Sequence, residues 1–246
     1  MTRTNKDSLN KNDSRNGVLT HLAIIMDGNG RWAENKNLPR LAGHRAGTEN
    51  IRSIIEESTK LGIKHLTLFA FSTENWRRPS SEVEGIMNIL TNVIKNETPS
   101  LHQKGVKISH IGSLDGLSQE LKEAILYTTD LTRNNKSLYL NIAFNYGGRT
   151  EILEAVKKIL ADNISVRNLD EKTFASYLDT SGIPDPDLII RTGGEVRLSN
   201  FLIWQSAYSE YYSTTKFWPD FKKRDLRKAL ATYQQRNRRF GEITTD

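Results

Sequence analysis

Short apolar runs that alternate with longer amphipathic segments constrain the fold of this chain more than any other feature of its sequence. The central runs do not alternate with polar residues, which is typical of strands buried on both faces of a sheet. The segments between the runs place apolar residues at helical spacing. This repetition predicts an α/β fold, a single domain with a central, mostly parallel sheet flanked by helices. The five predicted strands are HLAIIM (21–26), HLTLFAF (65–71), VKISHI (106–111), SLYLNIAF (137–144) and DLIIR (187–191), and the four predicted helices cover 51–61, 83–94, 117–131 and 152–160.

The 246 residues suffice for one α/β domain with a sizeable core. Residues 1–20 are polar and lack the apolar segment of a secretion signal, so we expect a disordered tail followed by one domain over 21–246. No apolar run approaches the roughly 20 residues that span a bilayer, so a membrane-spanning helix is not expected. The absence of cysteine excludes disulfides and thiol catalysis and fits a cytoplasmic protein.

The positive charge of the chain is concentrated at its ends. The net charge is +6, and residues 222–239 alone carry eight basic side chains against one acidic side chain. A basic C-terminal helix is more often a solvated face than a binding site, although contact with an anionic membrane surface stays an alternative. A nucleic-acid-binding function would rest on this segment alone and is not expected.

A single carboxylate, Asp27, follows the first predicted strand and precedes a glycine-rich turn that ends in Arg31. Gly28 and Gly30 would allow the backbone to approach a ligand closely, and a guanidinium group suits phosphate oxygens. The turn lacks the ending of a P-loop and the third glycine of a dinucleotide fingerprint, and taken alone it is more often merely a turn. An acid beside a phosphate site would repel the ligand unless a divalent cation lay between them, so Asp27 predicts a Mg²⁺ site.

Two further polar clusters come next along the chain. Arg40, His44 and Arg45 stand just before the first long predicted helix, whose N-terminus favours anions. The segment FSTENWRRP (71–79) brings hydrogen-bonding groups and a large apolar ring to the end of the second strand, which suits a ligand with a polar head and an apolar body. A strand end followed by a helix that Ser80 or Ser81 caps is an equally good interpretation of that segment when it is taken alone.

The last cluster, RTGGEVRLSN (191–200), follows the fifth predicted strand. Arg191 and Arg197 flank paired glycines, and Ser199 adds a hydroxyl, which together favour a second anion site. In parallel sheets, ligands bind beyond the carboxyl ends of the strands, which is where these clusters fall. The residues alone therefore predict two phosphate sites and one metal carboxylate, without a nucleophile triad.

In this order, the motifs closely resemble the cis-prenyltransferases, the family of undecaprenyl diphosphate synthase (isoprenyl transferase). The resemblance runs from about His21 to Gly241. It implies that isopentenyl diphosphate adds, with cis double-bond geometry, to an allylic diphosphate such as farnesyl diphosphate, and that the product is undecaprenyl diphosphate for cell-wall lipid carrier synthesis. The motifs are IMDGNGRWA, RLAGHRAG, LTLFAFSTENWRRP, LNIAFNYGGR, DLIIRTGGEVRLSNFLIWQSAYSE and FWPDF.

The resemblance also implies roles for individual residues. Asp27 matches the carboxylate that holds the catalytic Mg²⁺, and Glu210 matches a second metal-associated carboxylate. The family assigns proton removal to the position of Asn75, but a neutral amide is a very weak base, so we expect Asn75 to orient the substrate or a water while the proton goes to a diphosphate oxygen. The implied substrate-binding residues are Gly28, Asn29, Gly30, Arg31, Trp32, Arg40 and His44 for the allylic diphosphate, Arg191, Arg197, Leu198 and Ser199 for isopentenyl diphosphate, and Ser72, Thr73, Glu74, Trp76 and Arg78 for further substrate contacts.

The growing chain is expected in an apolar tunnel between the sheet and the helices at 43–62 and 81–104. For most of the apolar residues in these helices, a place in the ordinary core is the better interpretation. Ala70 is small where a bulky residue could block a tunnel, whereas Phe144 is large on a neighbouring strand, so the sequence does not predict the product length.

The aromatic-rich segment 201–221 favours the homodimer that is typical of the family, although a core role for these aromatics is comparably good. Charged substrates and a lipid product suggest a cytoplasmic enzyme, with peripheral contact at the inner face of the plasma membrane as an option. Two alternatives compete with this prediction. A non-catalytic subunit of the same fold would lack the metal carboxylate or the second arginine pair, and a trans-type prenyl synthase would be all-helical and carry DDxxD motifs.

Overall fold

A computed structural model of the protein describes residues 19–235, so most of the predicted tail lies outside the described residues. Strands and helices alternate along the first two thirds of this range, as the apolar periodicity predicts. The strands are β1 (His21–Ile25), β2 (His65–Ser72), β3 (Val106–Ile111), β4 (Leu138–Tyr146), β5 (Leu188–Arg191) and β6 (Glu210–Ser213). The helices are α1 (Asn29–Glu34), α2 (Arg40–Lys60), α3 (Ser80–Gln103), α4 (Gln119–Thr132), α5 (Gly148–Ala161), α6 (Glu171–Ala175) and α7 (Lys223–Gln234).

The strands form one sheet in the order β3-β4-β2-β1-β5-β6, and every neighbouring pair is parallel. The central strand β1 is buried along its whole length. Its last residue, Ile25, lies level with Phe69 of β2 and Arg191 of β5. Because parallel strands end at the same edge of a sheet, the polar segments that follow β1, β2 and β5 meet there.

The five predicted strands are confirmed, but the sequence did not reveal β6. This strand has only four residues, Glu210–Ser213, and alternates between half-buried and exposed positions at the edge of the sheet. This strand therefore has neither the length nor the apolar run from which the central strands could be predicted. The helices α2, α3 and α5 begin earlier than their apolar periodicity indicated, because their first turns are polar; α2, for example, starts at Arg40. In contrast, α4 begins two residues later than predicted, at Gln119, after its capping residue Ser118.

Apolar side chains pack on both faces of the sheet. On β1, Leu22 and Ile24 point into a core formed with α2, α3 and α7, whereas Ala23 and Ile25 face a second core that contains Phe201. Alternate residues of a strand point to opposite faces, so a strand buried on both sides has to be apolar throughout.

A cavity opens between α2, α3 and the first face of the sheet. It encloses about 1280 Å³, the open part at its mouth included. Its walls are largely aliphatic, with Met26 and Ala70 from the sheet end and with side chains from both helices. The helical side chains that line it include Ile51 and Ile55 of α2 and Ile86, Ile89, Leu90, Val93, Ile94 and Leu101 of α3. The two helices are thus held apart along an apolar space, in the place where the sequence predicted a tunnel.

A row of buried polar groups crosses the sheet near its amino ends. The amide of Asn141 donates to the Thr67 hydroxyl oxygen at 3.0 Å, and this hydroxyl lies 2.7 Å from Nε2 of His21. Nδ1 of His21 lies 2.6 Å from the carbonyl oxygen of Pro184, which can only accept a hydrogen bond. The imidazole is therefore a neutral ring with its proton on Nδ1. Burial lowers the pKa of His21 to about 4.

We expect the stability of the protein to fall as the pH is lowered from 6.5 towards 4. The unfolded chain binds a proton at His21 in this range whereas the folded chain does not, so the free energy of unfolding decreases by about 3 kcal/mol from this residue. Urea denaturation at several pH values would measure the decrease. The variant His21→Asn keeps an amide that can donate to Pro184 but cannot titrate. Its free energy of unfolding should therefore decrease less between pH 6.5 and pH 4 than that of the wild type. An equal decrease in both proteins would contradict the assignment of a neutral His21.

Candidate active site

Asp27 lies two residues beyond the end of β1 and holds two arginines. Its Oδ2 accepts a hydrogen bond from Arg191 at 2.8 Å, and its Oδ1 lies 3.3 Å from a guanidinium nitrogen of Arg31. The backbone carbonyl of Asp27 accepts a hydrogen bond from the Thr192 hydroxyl at 2.7 Å. Partial burial raises the pKa of Asp27, but hydrogen bonds and charge from the arginines outweigh it and hold the pKa below its usual value. The carboxylate is therefore ionised at neutral pH.

Steric constraints explain why glycine occurs twice in the turn after Asp27. Gly28 has a φ of 100°, in the left-handed region, and a side chain there would meet the ring of Phe217 at 2.5 Å. A Cβ at Gly30 would lie 2.6 Å from the guanidinium of Arg40. The turn therefore brings Arg40 of the second predicted cluster against the first cluster, a contact that the sequence did not show.

Asn29 and Trp32 of the same turn bury polar atoms. The Asn29 amide donates to the backbone carbonyl of Met26 at 3.3 Å, while its Oδ1 is buried without a partner among the described residues. The indole nitrogen of Trp32 is also buried without a partner in that range, and the Lys36 ammonium lies 4.5 Å from the ring centroid. Asn29 lines the mouth of the cavity, so of these two predicted contacts it is the one placed to meet a ligand there.

One carboxylate, Glu82 in the first turn of α3, joins three predicted anion-binding side chains. It accepts hydrogen bonds from Arg40 at 3.0 Å and from Arg78 at 2.9 Å, and it lies 3.3 Å from Nε2 of His44. Arg40 also pairs with Glu34. Arg40 and His44 lie within the first two turns of α2 rather than before the helix. Burial lowers the pKa of His44 despite its contact with Glu82, so the ring is mostly neutral at pH 7.

The segment that follows β2 is a short 3₁₀ helix with a capping box. The backbone N–H of Ser72 donates to Oδ1 of Asn75 at 3.0 Å. The alternative that Ser80 or Ser81 caps the next helix is wrong, because α3 begins at Ser80 directly after Pro79 and no side chain caps it. Next to it, Glu74 lies 3.4 Å from the Thr73 hydroxyl and accepts a hydrogen bond from Asn200 at 2.8 Å. Trp76 is 39% exposed, and its indole N–H donates to Asn145 at 2.8 Å.

The second predicted anion site is built around Arg191, whose side chain is 9% exposed. Besides its bond to Asp27, the guanidinium donates to the Ser199 hydroxyl at 2.7 Å and to the carbonyl of Arg197 at 2.5 Å. Leu198 packs against the second core, which anchors this loop. The Arg197 side chain is 60% exposed and pairs with Glu195 at 2.6 Å. Arg191 is thus the rigid member of the site, and Arg197 points to solvent.

Glu210 does not join this site within one chain. It opens β6 level with Leu188, at the amino end of β5, whereas Asp27 lies beyond the carboxyl end of β1. Five residues of strand separate these levels, which is about 16 Å. Mg²⁺ binds its ligands at about 2 Å, so Asp27 and Glu210 of the same chain cannot hold the same ion.

The arrangement at Asp27 nevertheless fits Mg²⁺. Residues 19–235 contain no cluster of three or more His, Asp or Glu side chains that could hold a metal by themselves. Mg²⁺ is commonly bound by one or two carboxylates together with substrate phosphate oxygens and water. Asp27 is ionised, is 29% exposed on its side chain, and keeps further acceptor capacity beside its two arginines. It is therefore the described residue that could hold such an ion.

Sequence reasoning missed two acids of the site, Glu82 and Glu195. The spacing of Arg78 and Glu82, four residues apart at a helix start, was a readable signal for an ion pair. Nothing in the sequence signalled the contact of Glu82 with Arg40, which is 42 residues away. Glu195 pairs with Arg197 and lies 3.8 Å from Arg31, so it stands between the two predicted anion sites.

The fold and the site together define a class of protein: an α/β protein with two neighbouring arginine clusters at the carboxyl edge of its parallel sheet, next to an apolar cavity. The chain belongs to the family whose model is described as "Putative undecaprenyl diphosphate synthase", which matches residues 25–241. The protein is therefore a prenyl transferase, and the parallel sheet excludes the all-helical alternative.

Relatives and solved structures agree with this assignment. An isoprenyl transferase of Clostridium perfringens is 52% identical over 227 residues, which cover 91% of this chain and 90% of the relative. The crystal structure of lavandulyl diphosphate synthase from Lavandula x intermedia in complex with dimethylallyl diphosphate is 39% identical, with a TM-score of 0.89 over 92% of this chain and 99% of that one. A "probable undecaprenyl diphosphate synthase" of Campylobacter jejuni is 32% identical, with a TM-score of 0.78 over 91% and 99% of the two chains.

We expect the variant Glu82→Gln to lower the pKa of His44 further. Burial already lowers this pKa, Arg40 and Arg78 act in the same direction, and the charge and hydrogen bond of Glu82 oppose them. Histidine resonances followed by NMR during a pH titration would measure the shift. The control is Glu34→Gln, which removes a partner of Arg40 only. A rise in the pKa of His44 in Glu82→Gln would contradict this electrostatic description.

Proposed function

We propose that the protein condenses isopentenyl diphosphate with an allylic diphosphate, such as farnesyl diphosphate, in a Mg²⁺-dependent reaction that forms cis double bonds. The proposed product is a cis-polyprenyl diphosphate, undecaprenyl diphosphate for cell-wall lipid carrier synthesis. The observation that carries the proposal is the Asp27–Arg191 contact at 2.8 Å. It joins a metal-type carboxylate and the buried arginine of the second anion site by one hydrogen bond, and the neighbours of Asp27 in the chain, Met26 and Asn29, line the apolar cavity.

The two diphosphates would occupy neighbouring sites. Gly30, Arg31 and Arg40 lie on α1 and in the first turn of α2, beside Asn29 and His44, which line the cavity, and these residues would bind the allylic diphosphate. The site built by Arg191, Ser199 and Arg197 would bind isopentenyl diphosphate. The dimethylallyl diphosphate in the lavender enzyme's structure supports an allylic diphosphate as ligand.

The groups around the departing diphosphate would contribute most to lowering the barrier of the reaction. A bound Mg²⁺ would supply positive charge to the diphosphate oxygens as the allylic carbon–oxygen bond breaks. Asp27 would hold this ion, and Arg31 and Arg40 would bind the leaving group more strongly as its charge develops, which lowers the barrier. Arg191 keeps Asp27 ionised and in place.

Asn75 remains a positioning group in this proposal. Its Oδ1 already accepts the backbone N–H of Ser72, so the atom that could take up a proton is engaged. The amide NH₂ can only donate, which suits an oxygen of the substrate or of a water. The proton of the isopentenyl unit would then pass to a diphosphate oxygen, as the sequence analysis expected.

The cavity between α2 and α3 would take up the growing hydrocarbon chain. Ala70 and Phe144 both line it, and Phe144 packs against Phe71 with ring centroids 5.3 Å apart. The side chain of Phe144 is 1% exposed, so this ring is a fixed part of the wall. The chain length would be set by how far the product can extend along these walls.

A homodimer and a cytoplasmic location are part of the proposal. Among the described residues, no helix combines the length and the apolar character needed to cross a bilayer. The basic residues of 222–235 that lie on α7 would allow peripheral contact with the inner face of the plasma membrane; the rest of that segment, 236–239, lies outside the described residues. Co-sedimentation with vesicles that contain anionic lipid would test the contact.

Purified protein should convert isopentenyl diphosphate, farnesyl diphosphate and Mg²⁺ into longer polyprenyl diphosphates, separated by chromatography. Asp27→Ala should lower turnover by at least about 100-fold, because the carboxylate acts on the charge that develops at the leaving group. The matched control is Asp130→Ala, which breaks an exposed ion pair with Arg133. No elongated product from folded wild-type protein would refute the proposal, and near wild-type turnover of Asp27→Ala would refute the role of Asp27.

A homodimer should form through exposed apolar side chains on α5. Leu153 and Leu160 are 61% and 71% exposed on one face of this helix, and Gly148 at its start packs against Ile203 of the aromatic-rich segment. We expect Leu160→Glu to yield monomers in light scattering after size exclusion. Leu126→Glu, at a 55% exposed position of α4, is the control that should stay dimeric. A wild-type monomer at micromolar concentration would contradict the prediction.

A further inference from the structure

Ion pairs join α2 to α3 at three levels along the side of the cavity. The order of the partners along both helices is the same, so the helices run side by side in the same direction. Each level holds one carboxylate and one basic side chain that face each other across the gap between the helices. The pairs are Arg40–Glu82 at 3.0 Å near the mouth, Arg52–Glu97 at 2.5 Å in the middle and Glu56–Lys104 at 3.2 Å at the far end.

Only the middle pair forms part of the cavity wall. Arg52 and Glu97 both line the cavity, whereas the partners at the other two levels do not. The pair is bidentate, because Nε and Nη2 of Arg52 donate to the two carboxylate oxygens of Glu97 at 3.1 and 2.5 Å. This contact raises the pKa of Arg52 above its usual range. This bidentate ion pair therefore closes one side of a cavity whose other walls are largely aliphatic.

The middle pair lies far from the mouth along α3 and on the open side of the cavity, since the side chains of Arg52 and Glu97 are 59% and 27% exposed. Fifteen residues of helix separate Glu82 from Glu97, which is about 22 Å at the α-helical rise. Pro99, two residues after Glu97, lies inside α3 and removes one hydrogen bond of the helix. The Thr98 hydroxyl donates to the Ile94 carbonyl at 2.6 Å and lies 2.9 Å from the Thr128 hydroxyl of α4. Polar contacts thus add to the apolar packing of Ile94 and Leu101 in this part of the wall.

We propose that the Arg52–Glu97 pair determines product length by closing the gap between α2 and α3. A hydrocarbon chain that reaches this level meets two charged groups that are held to each other. It can extend sideways between the helices only if the pair separates, which leaves the largely buried carboxylate of Glu97 facing an apolar chain. While the pair is intact, the chain is confined to the closed part of the cavity, whose wall ends at Leu101 of α3. The inference rests on the proposed function, because it requires a chain that grows into the cavity.

The test compares product ladders from isopentenyl diphosphate and farnesyl diphosphate. We expect Arg52→Met and Glu97→Gln to shift the main product to a chain longer by one or more isoprene units, while the rate of the first condensation stays within about twofold, since the pair lies far from Asp27. The exchanged pair Arg52→Glu with Glu97→Arg should restore the wild-type ladder. High salt should lengthen the wild-type products and change those of Arg52→Met less, because screening weakens exposed pairs.

The matched control is Glu120→Gln, which breaks the Lys95–Glu120 pair between α3 and α4 at 2.5 Å outside the cavity. This variant should lose as much thermal stability as Glu97→Gln and keep the wild-type ladder. An unchanged or shortened ladder in both Arg52→Met and Glu97→Gln, or a shift in Glu120→Gln as well, would overturn the inference. A wild-type protein that makes no elongated product would refute the proposed function itself, so the two failures are distinguishable.

Discussion

The contact between Asp27 and Arg191 is the interaction on which the site depends. It ties the loop after β1 to the end of β5, and through Arg191 it also fixes Ser199 and the backbone of Arg197. Arg191 is almost buried, so its charge needs a carboxylate nearby, and Asp27 supplies it. The same carboxylate is partly exposed. One residue pair thus stabilises the loop and, in the proposed reaction, would lie where charge develops on the leaving diphosphate.

Charge compensation extends to the other predicted anion-binding residues. Arg40 and Arg78 share Glu82, and Arg31 and Arg197 lie on either side of Glu195. These acids allow several guanidinium groups to stay close together in the folded chain before a diphosphate arrives. A diphosphate that binds there has to compete with them, which favours ligands with several negative charges over ligands with one.

The sequence predicted the sheet, and it predicted that the polar segments after β1, β2 and β5 meet at one edge, because both follow from local patterns. Apolar runs in the sequence indicated β1 and β5. Because the strands are parallel, the polar segments that follow them lie at the same edge of the sheet. The contact of Arg40 with Glu82 could not be read, because it depends on how two helices pack across a cavity. The same limit applies to Glu210: its motif was recognised in the chain, but strand register places it at the opposite end of the sheet.

The parallel course of α2 and α3, opposite in direction to the strands, gives the reaction a fixed geometry. In the proposed reaction, the head group would bind at the carboxyl edge of the sheet, and the tail would extend back towards the amino edge. After each condensation, the diphosphate still attached to the product would be the one that entered with isopentenyl diphosphate, on the Arg191 side. A second round would then require this head group to cross to the Arg31 side, so that the chain would advance inwards by one unit at every turnover.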